Sequence, residues 1–363
     1  MMKNILLVLM LMITVNAQAH RIEKGFQVID PDRSMLKRFA GNKEVVIDHL
    51  SKAGFEIYGP SGLEAELNRA NAVFHELEAV SNSFAADYPK PEMIIDRMKS
   101  LQTRYPQLIT LIEIGKSVEG RPLMFARMTA PEKTGSQPAA SRPEFKYVAN
   151  MHGDEIVGRE LMIRLIEDLA TNYGKDNRIT SLLDTMQIYI MPSMNPDGAN
   201  RRQRANANGV DLNRSFPDFT TTDNQNTMSN REPEVKAMMT FQAQHRFKLS
   251  ANFHGGAEVV NYPYDTTSAA FPLENLVVNM SLNYAKKIPY FWNSNEFEHG
   301  ITNGFRWYEV DGGMQDWSYH WHGDLQVTIE LTRTKWPSYQ KVDQYYLDNR
   351  ESLLGYISEM AKL

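Results

Sequence analysis

"FKYVANMHGDEIVGREL", residues 145–161, places three signals in one stretch. The apolar run 145–149 reads as a strand buried on both faces, and "IVGRELMIRLIEDLA" from Ile156 reads as an amphipathic helix. Between them stand His152 and Glu155, at the strand's carboxyl end. Sites in open α/β sheets form at the carboxyl ends of the strands, so the pair sits where chemistry would be placed. A lone histidine after a strand is more often an ordinary loop residue. The reading therefore depends on what the other strands deliver.

Three more runs end in polar groups. "MQIYIMPSM" leads to Asn195-Pro196-Asp197-Gly198, "FKLSANF" leads to His254-Gly255-Gly256, and "LQVTIELT" carries Glu330 near its end. "NPDG" by itself is a good turn. Glu330 is different, because a carboxylate within an apolar strand is costly without a compensating charge. Two imidazoles and one carboxylate make the three-ligand set of a catalytic zinc, with the fourth position left for water. Apolar runs alternating with amphipathic stretches from residue 93 onward predict an α/β fold with a mixed, mostly parallel buried sheet flanked by helices.

The whole chain fits that class. It has 363 residues, 42% hydrophobic and 23% charged, which describes an ordinary globular protein. A net charge of -5 argues against a nucleic-acid surface. Residues 1–19 combine Lys3, an apolar run from Ile5 to Val15 and Ala17-Gln18-Ala19, which reads as a signal peptide, too short to span a bilayer. Export to the periplasm or the medium is expected, with no membrane span after cleavage. The chain has no cysteine, so no disulfide framework is available. Residues 20–85 read as a small α+β N-terminal extension or prosegment: a short helix at 43–53, a strand, then an amphipathic helix over "LEAELNRANAVFHELEAVSNSF". His49 and His75 read as solvated helix positions. The prolines of "ADYPKPE", 86–92, mark the boundary with a catalytic domain at 86–363.

Six motifs, "HGDEIVGREL", "MPSMNPDG", "NANGVDLNRSFPD", "SANFHGGAEVVNYPYD", "GITNGFRWYEVDGGMQDW" and "VTIELT", occur in an order that resembles the zinc metallocarboxypeptidases of the M14 family. The resemblance is to the regulatory branch that includes carboxypeptidases D, E, M and N, and to an exported bacterial member of it. It implies His152, Glu155 and His254 as ligands of one zinc ion per chain, and Glu330 as general base. It also implies Asn213 and Arg214 as the clamp on a substrate's terminal carboxylate, Arg204 as the group polarising the scissile carbonyl, and Tyr308 as a mobile cover. Asp211 corresponds to the carboxylate that orients the first zinc histidine.

The physical account runs beside the family one. Zinc activates water near neutral pH, and a neighbouring glutamate takes the proton and passes it to the leaving amine. An arginine's planar fork pairs with a free carboxylate in a bidentate way, which favours the ends of chains. Asp265, eleven positions after His254, and Gln315 match polar residues that face the substrate's last side chain in that branch, so C-terminal lysine or arginine is the expected preference. The expected partners are peptide or protein C-termini. An amidase or carboxypeptidase acting on diaminopimelate-containing wall peptides is the alternative, and an inactive binding protein of the same fold is a third reading. Of the neighbouring arginines, Arg204 is expected to point inward and Arg201 and Arg202 to face solvent. Asp154 stands where the branch often has asparagine. His320 and His322 are expected to serve packing.

Overall fold

The computed structural model describes residues 22–77, 88–134 and 137–363. The signal peptide expected at residues 1–19 and part of the boundary expected at 86–92 lie outside the described residues. Among those described, no helix is long and apolar enough to cross a membrane.

The N-terminal unit is a four-stranded antiparallel sheet. It consists of β1 (Lys24–Ile29), β2 (Val46–Ser51), β3 (Gly54–Gly59) and β4 (Val73–Glu76), in the order β2-β3-β1-β4. Helices Ser34–Phe39 and Leu63–Arg69 pack on it around Phe26, Val28, Phe55 and Ile57. Two sequence expectations are corrected here. Residues 43–53 form no helix: Val46 and Ile47 pair with Tyr58 and Ile57 of β3, as suits β-branched side chains on a pleated sheet. The long helix expected from Leu63 stops at Arg69, because Asn71 adopts a left-handed turn (φ 54°) and Val73–Glu76 pairs with β1. The remainder of that stretch, from residue 78, lies outside the described residues. His75 is exposed, but on a strand; His49 is buried, contrary to expectation.

The large domain carries an eight-stranded mixed sheet of β5 (Ile109–Lys116), β6 (Pro122–Met128), β7 (Glu144–Ala149), β8 (Gln187–Met191), β9 (Phe247–His254), β10 (Val259–Tyr262), β11 (Ile301–Asn303) and β12 (Leu325–Glu330). Its order is β11-β10-β12-β9-β7-β8-β6-β5. The four runs singled out in the sequence are the adjacent strands β12, β9, β7 and β8, all mutually parallel, so their carboxyl ends share one edge.

Successive residues of each strand face opposite layers. Phe145, Tyr147 and Ala149 join the core under helices Val157–Asn172 and Val342–Ser358, while Val148 joins the one under Pro233–Ala243 and Met314–His322. Both faces are covered, which is why the strands read as continuous apolar runs. Lys146 of β7 is charged and fully buried, and it pairs with Asp324 at 3.1 Å and donates to Gln242 at 2.6 Å.

Candidate active site

After β7 the chain turns sharply. Asn150 takes a left-handed conformation (φ 57°) and its side-chain amide donates to the carbonyls of His152 and Gly153 at 2.9 and 3.2 Å. This turn lies against the one after β8. A Cβ on Gly153 would fall 2.1 Å from the carbonyl carbon of Gly198, so glycine is required for the two backbones to approach. Asn195 joins them, donating to the carbonyls of Met151 and Arg204 at 3.1 and 3.2 Å and capping helix Pro196–Arg201 by accepting from Gly198 N. Asn195 of "NPDG" thus ties the turn after β8 to the one that carries His152. Asp197 points away from it, to Ser117 and the backbone of Glu119.

His152, Glu155 and His254 converge, all buried. Glu155 Oε1 lies 2.9 Å from His152 Nδ1, Glu155 Oε2 2.8 Å from His254 Nδ1, and the two Nδ1 atoms are 3.0 Å apart. His152 Nε2 donates to Asp211 Oδ1 at 3.1 Å, which turns the Nδ1 lone pair toward Glu155 and His254. Lone pairs and a carboxylate facing one another at such distances repel unless a proton or a metal ion lies among them. The donor set, N, N and O with an outer carboxylate fixing one imidazole, fits zinc.

The other candidates surround this cluster. Glu330, the register partner of His254 on β12, is buried with Oε2 unpartnered among the described residues. Burial first, then the negative Glu155, pushes it up to about 8. Arg204 is buried and donates from Nε to Asp211 Oδ2 at 2.9 Å; its Nη1 lies 3.5 Å from Glu155 Oε1. Arg201 is exposed on Glu119 and Arg202 is half-buried, so of the three arginines only Arg204 turns fully inward. Asp211 caps the turn Leu212–Arg214, accepting from Asn213 N at 2.8 Å, and so brings Asn213 and Arg214 beside the crevice. Tyr308 follows the short helix Gly304–Trp307 and lines the same cavity as His152, His254, Arg214 and Glu330.

Asp265 lines the same cavity. Its Oδ1 accepts from Asn261 Nδ2 at 3.0 Å and Gln315 Nε2 at 2.9 Å, while no described residue donates to Oδ2. A Cβ on Gly304 would come 1.6 Å from Asp265 Oδ1, so only glycine lets the chain close over this carboxylate. Burial pushes Asp265 up to about 7, against the lowering effect of Asn261 and Gln315. Asp316 holds the backbone of this loop, accepting from the amides of Asp265 and Thr266 at 2.7 and 2.9 Å. His320 stacks on Phe219 and His322 packs edge-on against Trp317, as expected of packing residues.

The structure adds residues that the sequence did not single out. Asn261 is legible afterwards as the one polar side chain in the buried strand "VVNY". Asp48 and Lys335 carry no motif: Asp48 reaches Arg204 and Tyr308 from the N-terminal unit, and Lys335 links Glu56 with Asp154.

Comparison with known proteins accords with this geometry. Residues 94–352 match the family model for zinc carboxypeptidases. The chain is 39% identical to mouse Carboxypeptidase M over 287 residues, covering 72% of this chain and 63% of that protein. It is 37% identical to human Carboxypeptidase D over 320 residues, covering 80% of this chain and 23% of that protein. It thus spans about six-tenths or less of these relatives' length. The solved Carboxypeptidase A from Helicoverpa armigera superposes with a TM-score of 0.72 at 19% identity, covering 94% of this chain and 98% of that one, and shares the fold. With the family model running through all four site-bearing strands, the chain belongs to the zinc carboxypeptidase family.

Proposed function

We propose that the protein is a zinc-dependent exopeptidase that hydrolyses the C-terminal peptide bond of peptides ending in lysine or arginine. The observation that carries this reading is one cavity lined by the His152/His254 cluster, Glu330, Arg214 and Asp265. A zinc ion held by His152, Glu155 and His254 supplies Lewis acidity toward a water and a carbonyl oxygen.

The chain's own residues do the rest. Arg214 and Asn213 bind the substrate's terminal carboxylate, and a chain lacking that carboxylate leaves a guanidinium unpaired. Arg204 stabilises negative charge developing on the scissile carbonyl oxygen. Glu330 takes a proton from the attacking water and delivers it to the leaving amine. Its raised pKa suits a group that must both accept and release a proton near neutrality. Tyr308 closes over the bound end of the chain. Asp265 Oδ2, to which no described residue donates, receives the cationic end of the last side chain, oriented by Asn261 and Gln315.

Export rests on the signal-like residues 1–19. The test is removal of metal with a chelator: activity on a peptide ending in arginine is lost and returns with stoichiometric zinc. Full turnover by metal-free protein would refute the reading.

A further inference from the structure

The two strands that carry His254 and Glu330 are polar beneath the site, where their neighbour is apolar. Ser250, Asn252 and His254 alternate along one face of β9, and their register partners Gln326, Thr328 and Glu330 alternate along the same face of β12. Val148 of β7, the register partner of Asn252 on its other side, joins an apolar cluster. On the opposite face of β9 and β12, Ala251, Phe253, Val327 and Ile329 are apolar too. Ser250, Asn252 and Gln326 are at most 1% exposed, so the polar layer is internal.

Its side chains are joined across the two strands. Gln326 Nε2 donates to Ser250 Oγ at 2.9 Å, and Asn252 Nδ2 donates to Gln326 Oε1 and Thr328 Oγ1, each at 3.0 Å. Asn252 Nδ2 also donates to the Val327 carbonyl at 3.4 Å, an acceptor that fixes which end of the amide faces β12. One side chain of β9 thus bonds three successive residues of β12. The series ends at the site, because Thr328 lines the cavity together with His254 and Glu330.

Buried polar groups are costly unless their hydrogen bonds are made, and an apolar side chain fills the same layer on β7. What sets β9 and β12 apart is the pair of residues they carry two positions further on. Glu330 Oε2 has no donor among the described residues, so its placement depends on where β12 lies. The reach from Glu330 to the His152, Glu155 and His254 cluster follows the spacing of the two strands at the level of Asn252. A misplacement of about 1 Å at a reacting centre costs on the order of 10²-fold in rate. A packing role alone is the rival reading; it predicts that a break anywhere in the series acts through stability only.

We propose that Asn252 is a positioning residue for peptide hydrolysis: through Gln326, Val327 and Thr328 it holds β12 against β9 just below the site, and so sets the general base relative to the metal ligands. The proposal rests on the carboxypeptidase reading of the site.

The test compares the full zinc-loaded chain with Asn252→Leu, which keeps the side chain's size and removes its donor, and with Ser250→Ala, which breaks the same series one layer further from the site. Zinc content, urea unfolding and steady-state kinetics on a peptide ending in arginine are measured on each. Asn252→Leu should lower kcat about 10- to 100-fold with KM within about threefold of the parent and one zinc retained. Ser250→Ala should lower the urea midpoint but keep kcat within about threefold. Asn252→Thr, which restores a donor, should recover part of the lost kcat. Thr328→Val, which removes only the acceptor at nearly constant volume, should lower kcat by a smaller factor, about 3- to 10-fold, and serves if Asn252→Leu fails to fold. Parent-like kcat in Asn252→Leu or, should that variant not fold, in Thr328→Val overturns the role, as does an equal loss in Ser250→Ala. A parent chain that holds zinc yet cleaves nothing overturns the peptidase reading and this role with it, whereas an active parent beside an equally active Asn252→Leu overturns this role alone.

Discussion

His254 and Glu330 are register partners on the adjacent parallel strands β9 and β12. The hydrogen-bond ladder of the sheet, rather than a flexible loop, therefore sets the proposed general base beside the candidate metal ligands. Glu330→Gln removes the proton acceptor and leaves the three proposed ligands untouched. Zinc content should stay at one per chain while kcat falls about 10²- to 10⁴-fold, the range of general acid–base catalysis. Metal analysis and steady-state kinetics on the same preparation check it; near-parent turnover would remove Glu330 from that role.

His254→Ala should lose metal and activity together. Asp211 acts one step further out, fixing His152 through Nε2 at 3.1 Å. Asp211→Asn should weaken zinc binding by about 10- to 100-fold, the usual cost of losing an outer-shell partner. Competition with a chromophoric chelator measures the affinity directly, and an unaltered affinity would show that His152 needs no such support.

Asp265 presents one oxygen to the cavity and ties the other to Asn261 and Gln315. Asp265→Ala should lower kcat/KM for peptides ending in arginine by roughly 30-fold or more, with little change for those ending in leucine. An equal loss across both peptides would mean that the residue supports the fold instead of reading the side chain.

The same carboxyl group predicts a pH effect. Burial raises Asp265 to about 7, so in the free site it is neutral below that pH and charged above it. A cationic side chain binds the charged form, so KM for peptides ending in arginine should rise as pH falls through about 7. KM for peptides ending in leucine should not follow. Parallel profiles for the two would detach the effect from Asp265.

Much of this was readable before the fold was known, for physical reasons that differ by residue. Strands buried on both faces are mostly apolar, so β7, β8, β9 and β12 stood out, and polar residues at their ends marked the site edge. Asp48 and Lys335 were not readable, because what matters about them is a long-range docking that leaves no local period. The helix expected at 43–53 failed because strand pairing with β3 outweighed the local pattern. "NPDG" was readable as a turn, but its backbone role under Gly153 appears only when two strand ends meet.

The most direct test of the central claim uses one peptide ending in arginine, prepared as the free acid and as the C-terminal amide. Each is incubated with the zinc-loaded chain, and the products are followed by mass. The account predicts removal of the single terminal arginine from the acid, and little turnover of the amide, which offers Arg214 no carboxylate. Internal cleavage, or equal turnover of acid and amide, would contradict it.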